Sequence, residues 1–459
     1  MRIALSIVKW LVVLLVVAVI GAAAWLYFSP PALIRVASNY SAKIVCSNVF
    51  LAGRDADEVL ADDVQAPGHP ILGYISVEVD EARRTVSAGL FGIFGTGLAI
   101  ARDGLGCAVS PNGNADPDIS ASEGAGTVPQ GLWPDGELVE ASQDPELAAL
   151  LDDAGMVGPG MRAVVVVHNG RIIGERYGDG FSAATPLLGW SMSKTVTAAI
   201  IGTLVTEGKL AQGQENLLDI WSGDGRREIS LASLLAMESG LEFNEDYGDV
   251  TDVTRMLYLE PDMAGFAAAK PLAHEPGSTF AYSSGTTLIL SRIWQNALGE
   301  PQTALDWPRE ALFDRIGMAS AVLEADASGT FVGSSYLYAT GRDWARFGQL
   351  LLQDGKWKGE DVLPFGYVRW MRSPTEASSG DYGKGHLWLH GPRAGTPEGT
   401  PSDAGFELPD DAFWLLGHDG QTVTVVPSKQ LVVVRLGLTP SKLGYKPQAL
   451  VEALAKLLD

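Results

Sequence analysis

The sequence predicts an α/β chain of the α+β type: an antiparallel sheet shared by the first and last hairpins of the main body, flanked by helices, with a mostly helical region inserted between them. Three observations predict it. The stretch "MRAVVVVHNGRIIGERYG", residues 161–178, is a run of valines, an Asn169-Gly170 turn and a second apolar run, the strongest short-range signal for a hairpin. A matching stretch, "QTVTVVPSKQLVVVRLG" at 421–437, reads as a second hairpin, and the amphipathic "PQALVEALAKLLD" follows it. Helical and irregular segments occupy the chain between the two.

Ahead of that body come three segments. After Arg2 and Lys9 the run "WLVVLLVVAVIGAAAWLYF", Trp10 to Phe28, carries no charge, and at about 1.5 Å per residue it nearly spans a hydrocarbon core of about 30 Å. Residues 1–29 therefore read as a single-pass anchor in the inner or plasma membrane. The short N-terminal tail stays inside and the body lies outside the cytoplasm, in a periplasmic setting. A cleaved signal peptide, with "GAAA" as its small-residue site, is the competing reading. Residues 30–108 hold "YISVEV" and "RTVSAGLFG" on either side of a turn at "DEARR", which predicts a small β-rich segment. "FGIFGTGLA", 91–99, lacks the Lys-Ser/Thr ending of a phosphate loop and reads as a turn. Cys46 and Cys107 are the two cysteines of the chain. In an exported segment with limited core they are expected to form a disulfide, two unpaired buried thiols being the alternative. Residues 109–134, with "SPNGNADPDISASEGAGTVPQG", read as a linker or long surface loop, and 135–459 as the main body.

Composition narrows the function. A chain of 459 residues that is 46% hydrophobic can bury a large core. Its formal net charge of -22, from 33 Lys+Arg against 55 Asp+Glu, disfavours nucleic acid as a partner. Metal chemistry finds little support. His274-Glu275 is followed by a proline, and His386 and His390 lie in "GHLWLHG", which reads as strand. No G-x-S-x-G elbow surrounds a serine, so that route to a catalytic triad is unsupported. No cofactor is called for, and oligomeric state is left open.

One stretch concentrates the chemistry: "LLGWSMSKTVTAAI", 187–200. The segment "VTAAIIGTLV" is apolar on nearly every face, so it reads as a helix buried in a large core and ended by Gly208. Ser191 and Lys194 open it, three residues apart and on one face. Burial and the positive end of the helix dipole both disfavour an ammonium there, so Lys194 is expected to release its proton and serve Ser191 as a base. The same spacing also occurs as Ser6-Ile-Val-Lys9 beside the membrane run, and serine is a common helix cap, so further elements must decide. One is "FAYSSGTTLIL", 280–290, where Tyr282 precedes Ser283 and Ser284 at a helix start. Another is "LLGHDGQTVTVV", 415–426, where Asp419-Gly420 also has a plain reading as a hairpin turn.

Together and in this order the motifs resemble the serine hydrolases of the β-lactamase and penicillin-binding-protein superfamily. The branch they most resemble is the class C β-lactamase-like group that includes 6-aminohexanoate-dimer hydrolases and related esterases. The likeness covers about residues 135–459 and takes in "LLAMESGLEFNEDY" and "PGSTFAYSSG". It implies Ser191 as acylated nucleophile, Lys194 as proton acceptor and Tyr282 as proton shuttle. It also implies an oxyanion hole from the backbone N–H groups of Ser191 and Gln421, with Gly420, His418 and Ser284 on the substrate side. Tyr247 is matched to a second, substrate-facing tyrosine of the amide-hydrolase branch. The chain departs from the β-lactamase pattern where Tyr-x-Asn becomes Tyr282-Ser283-Ser284 and Lys-Thr-Gly becomes His418-Asp419-Gly420. An imidazole then replaces a fixed positive charge. The resemblance thus implies hydrolysis of a small-molecule or peptide-like amide or ester. A D-Ala-D-Ala peptidase or β-lactamase using the same serine, or a silent binding module on the same fold, are the alternatives.

Overall fold

The computed structural model describes residues 2–113, 115, 116, 118–124 and 130–458. Residues 114, 117 and 125–129, within the expected linker, lie outside the described residues, as does residue 1 of the expected anchor. The chain forms two compact units: the N-terminal residues through Ala101 with Cys107–Ala115 and Asp246–Pro261, and a larger one made of the remainder.

In the first unit the helix Arg2–Phe28 carries Leu5–Phe28, a stretch with mean hydropathy 2.7 that is exposed along its length and long and apolar enough to cross a membrane. A second helix, Ala32–Ala52, was not foreseen in a segment read as β-rich. Its buried Ile34, Ala37, Ser41, Ile44 and Asn48 recur at steps of three and four, the helical period that the search for alternation passes over. It packs on a sheet of four antiparallel strands, β1 (Ile75–Asp80), β2 (Thr85–Leu90), β3 (Phe94–Arg102) and β4 (Gly106–Val109), in that order. The expected hairpin is β1 with β2, closed where Asp80 faces Thr85. The stretch expected as a turn, 91–99, instead turns briefly and then becomes β3. Gly97 explains the composition: a Cβ there would lie 2.7 Å from the Asn39 backbone nitrogen, so glycine serves close helix–sheet approach inside a strand. Cys46 of the helix is bonded to Cys107 of β4. Residues 246–261, assigned by the sequence reading to the main body, pack here as well, with the Tyr258 carbonyl accepting from Asn39 Nδ2 at 2.7 Å.

The second unit is built on β5 (Met161–His168) and β6 (Arg171–Tyr177). Three short strands, β7 (Leu187–Leu188), β8 (Val322–Leu323) and β9 (Leu337–Ala339), form a sheet of their own in the order β7-β9-β8, and β10 (Lys356–Trp357) pairs with β11 (Glu360–Asp361). β12 (Phe413–Gly417), β13 (Gln421–Val426) and β14 (Leu431–Gly437) then complete the main antiparallel sheet in the order β12-β13-β14-β5-β6. The two predicted hairpins do share it, Val434 of β14 lying opposite Val165 of β5. One face packs Val164, Val166 and Val433 against Leu151 and Leu454 of the helices Pro145–Asp152 and Gln448–Leu457. On the other lies the helix Gly341–Leu352, so close that a Cβ on Gly348 would meet Val432 Cγ1 at 2.5 Å. Burial on both faces is why these strands read as unbroken valine rather than as alternation.

Two further expectations change. "GHLWLHG" is no strand. His386 sits in the left-handed region at φ 56, and only isolated bridges join Trp388 to Tyr382 and Trp414. Part of the expected linker is tied to the second unit, the Ala121 amide donating to the Asp103 carbonyl at 3.0 Å and the Ser122 amide to Asp306 Oδ1 at 2.7 Å.

Opening the Cys46–Cys107 bond frees a loop spanning 61 residues, worth about 4 kcal/mol in chain-entropy terms. The Cys46→Ser/Cys107→Ser variant in detergent is expected to lose amide-exchange protection in β1 to β4. Protection equal to the parent's would show that the bond does not carry this unit.

Candidate active site

The local chain path explains how Ser191 is presented. β7 delivers the chain to Gly189, whose amide bonds to the Leu337 carbonyl at 2.9 Å and whose missing Cβ would lie 2.2 Å from Trp344 Cζ2. Trp190 follows at φ 48, a left-handed conformation that costs a bulky residue about 1–3 kcal/mol and is kept only where the surroundings enforce it. A single turn, Trp190–Met192, leads into the helix Ser193–Thr206, and Ser193 Oγ donates to the Trp190 carbonyl at 2.7 Å. Ser191 is left half-buried. Lys194, one turn on, is 1% exposed.

Three oxygens surround the Lys194 amine. Nζ lies 3.0 Å from Ser191 Oγ, 3.1 Å from Ser284 Oγ and 3.0 Å from the Ser334 carbonyl. The carbonyl arrives through another close approach: Thr197 Oγ1 donates to the Gly333 carbonyl at 3.0 Å, and a Cβ on Gly333 would meet that hydroxyl. Ser284 opens the helix Ser284–Leu298, capped by Ser283, whose Oγ accepts from the Thr286 amide at 3.1 Å. Beyond Ser284 stands a group the sequence reading did not single out, Glu245. It accepts from the Ser284 amide at 2.8 Å and from Ser284 Oγ at 2.5 Å.

Electrostatics separate the titrating groups. Burial pulls Lys194 down to about 8, against a smaller upward pull from Glu245. Tyr282, half-buried, is pushed up by desolvation despite the bond its hydroxyl makes with Ser191. Environment thus favours an uncharged amine beside a phenol that keeps its proton. Nζ also lies 4.8 Å from the centre of the Tyr282 ring, and that ring is boxed by Trp388 and Tyr382 at 5.4 and 6.0 Å. His386, behind them, bonds through Nε2 to Thr287 Oγ1 at 3.1 Å and is pushed down to about 3 by burial first and Lys194 second, so it stands neutral.

The β12–β13 turn closes the arrangement. A Cβ on Gly417 would lie 2.2 Å from the Gly189 carbonyl, so the end of β12 runs against the residue just before Trp190. The His418 ring meets the Trp190 ring edge-on at 5.8 Å. Asp419 takes the left-handed conformation at φ 55, as a tight turn requires. Gln421 faces Gly417 across it, its Oε1 accepting from the Gly437 amide at 2.8 Å. The buried Arg435 anchors the turn from behind, bonding the Gly420 carbonyl at 3.1 Å and the carbonyls of Val157 and Pro159 at 3.0 Å each.

One unit therefore gathers Ser191, Lys194, Tyr282, Ser284, His418, Gly420 and Gln421. Tyr247 belongs to the other unit, where it is 44% exposed. Glu245, Arg435, the Ser334 carbonyl and the Phe280, Tyr382 and Trp388 rings were missed. None carries a local motif; only the fold brings them here. Among the described residues no group of three or more His, Cys, Asp or Glu is placed to hold a metal ion.

An antiparallel sheet sandwiched by helices, with a serine and a buried lysine opening a core helix, defines a serine hydrolase. The Beta-lactamase family model matches residues 151–447, and the chain belongs to that family. It is 24% identical over 310 residues, 61% of this chain and 72% of its relative, to the 6-aminohexanoate-dimer hydrolase of Paenarthrobacter ureafaciens. Among solved structures, a family VIII carboxylesterase superposes with a TM-score of 0.52 at 16% identity, over 70% of this chain and 99% of its own. A penicillin-binding protein from Bacillus halodurans gives 0.51 at 17%, over 68% and 100%. These likenesses establish the fold.

The close run of β12 over Gly189 has a measurable consequence. Gly417→Ala is expected to cost about 1–3 kcal/mol by overpacking, read as a lowered denaturation midpoint. A midpoint equal to the parent's would mean that the strand end has room to spare.

Proposed function

We propose that this chain is a membrane-anchored hydrolase cleaving amide or ester bonds through an acyl-enzyme on Ser191, with Lys194 as base and Tyr282 as proton shuttle. One observation carries the reading: a lysine amine only 1% exposed, at hydrogen-bond distance from a half-buried serine hydroxyl. As Ser191 Oγ bonds to the substrate carbonyl carbon, its proton passes to Lys194 Nζ. The oxyanion is taken up by the backbone N–H groups of Ser191 and Gln421, each worth about 3–4 kcal/mol. Collapse expels the amine or alcohol, which receives a proton from the Tyr282 hydroxyl, itself reprotonated from the Lys194 ammonium. Water then enters by the reverse proton path and releases the acid.

The substrate side supports an uncharged or cationic leaving group. His418 stands where the β-lactamase pattern has its lysine, and Asp419 follows it with its carboxylate 3.4 Å from the imidazole Nε2. This is why a D-Ala-D-Ala peptidase or β-lactamase, which must hold a carboxylate, ranks second. The exposed apolar helix Leu5–Phe28 supports the anchor, with the body outside the cytoplasm, and a cleaved signal remains its rival.

Intact-mass spectrometry after a fluorophosphonate should show one adduct on the parent and none on Ser191→Ala; an adduct on the variant removes the nucleophile. A stable penicillin adduct would promote the second reading. Because Lys194 titrates at about 8, labelling should accelerate as pH rises and level off above that value. A rate still climbing near pH 10, where an unperturbed lysine titrates, would place the base elsewhere. Tyr282→Phe should slow turnover about 10² to 10⁴-fold, read on ester hydrolysis.

A further inference from the structure

The surroundings of Lys194 contain a carboxylate that the proton transfers above do not use. Glu245 reaches Ser284 because Gly285, the next residue, has no Cβ. One placed there would lie 2.5 Å from Phe243 Cε2, so the ring beds on the helix start and sets Glu245 over Ser284. The carboxylate takes both donors Ser284 has to offer, the amide at 2.8 Å and the hydroxyl at 2.5 Å.

The consequence concerns hydrogens. A serine hydroxyl has one proton and two lone pairs. With its proton committed to Glu245, Ser284 Oγ can only accept from Lys194 Nζ, 3.1 Å away. The Ser334 carbonyl, at 3.0 Å, is an acceptor by nature. An uncharged amine has two N–H groups and one lone pair, and both N–H groups are claimed by these two oxygens. The third direction at Nζ points to Ser191 Oγ, at 3.0 Å.

We propose that Glu245 is a positioning residue that, through Ser284, turns the lone pair of the Lys194 amine onto the Ser191 hydroxyl. The inference rests on the assignment of Ser191 and Lys194 above. With Glu245 in place, the Ser191 proton has a lone pair to receive it; when it moves to Nζ and the Oγ–carbon bond forms, the ammonium keeps an acceptor for each of its three N–H groups. Without Glu245, the Ser284 hydroxyl is free to rotate and donate to Nζ, occupying the lone pair that should serve as base. The other groups facing the amine cannot impose this order. Tyr282 presents its ring, 4.8 Å away, and the His386 ring nitrogen faces Thr287.

The test is a double-mutant cycle on the full-length protein in detergent, read as the rate of labelling by a small fluorophosphonate, which reports Ser191 reactivity alone. Ser284→Ala and Glu245→Ala are each expected to slow labelling about 10 to 100-fold. If Glu245 acts only through Ser284, the pair Glu245→Ala/Ser284→Ala labels no more slowly than Ser284→Ala. Glu245→Gln, which keeps an acceptor for the Ser284 hydroxyl but loses the charge, should retain most of the rate while the pH profile moves to lower pH. Additive losses in the cycle, a parent rate in Glu245→Ala, or a Glu245→Gln profile that stays in place would each overturn the proposal. Absence of labelling in the parent would instead strike the nucleophile itself, so the two failures are told apart. A melting midpoint for each variant identifies any loss that comes from misfolding.

Discussion

Everything at this site depends on removing one amine from water. A lysine side chain in solution is a hydrated cation and no base at neutral pH; the same group at 1% exposure, ringed by three oxygens, drops to about 8. Burial alone would not suffice, since a buried amine without partners carries a large desolvation cost. The three oxygens at 3.0–3.1 Å offset that cost while leaving the balance between ammonium and amine near the physiological range. Glu245 moderates the same balance in the opposite direction, favouring the ammonium.

Such a constellation requires backbones to approach more closely than side chains normally permit, and glycines supply the room. Gly189 lies under Trp344, Gly417 runs against the Gly189 carbonyl, Gly333 meets the Thr197 hydroxyl and Gly285 receives the Phe243 ring. Each contact brings in a different participant: the serine turn, the β12–β13 turn, the Ser334 carbonyl and the Glu245 loop. The left-handed Trp190 belongs to the same construction, because its strain is tolerable when the preceding Gly189 amide is held by the Leu337 carbonyl and its own carbonyl accepts from Ser193 Oγ.

How much of this could be read beforehand follows from the range of each signal. The two hairpins were legible because valine runs and an Asn-Gly turn are local patterns, and their sharing of one sheet followed from their positions at the two ends of the body. Ser191 with Lys194 was legible because the pair lies within one helical turn. Tyr282 and the Gly417–Gln421 turn are weak signals singly and become legible only through the order of the motifs along the chain. The helix Ala32–Ala52 was missed because its buried face mixes Ser41 and Asn48 with Ile34 and Ile44, so its apolar periodicity is faint. β3 was taken for a turn because glycine content was read as conformational freedom when it marks close packing on Asn39. Glu245 has no legible role in the sequence, since nothing in "FNEDY" says which of its acids will face a helix start.

The same comparison bears on what the site selects. A family member that replaces the asparagine beside its tyrosine by Ser284 gives up an amide that can donate and accept at once. Serine does only one of these toward Lys194 at a time, and which one depends on where its single proton goes. On the proposal above Glu245 settles that choice, and it also brings a carboxylate to 2.5 Å from Ser284 Oγ, itself 3.1 Å from the Lys194 amine. At the β12–β13 turn His418 takes the place of the lysine in the β-lactamase pattern, and the Asp419 carboxylate lies 3.4 Å from its Nε2. With Ser191 as the proposed nucleophile, the Glu245 and Asp419 carboxylates disfavour a substrate bearing carboxylates near its scissile bond, in a protein of formal net charge -22. The departures from the family pattern at Ser284 and His418 therefore act together against a β-lactam reading, and the substrates that the proposed function favours are amides and esters whose flanking groups are neutral or positively charged.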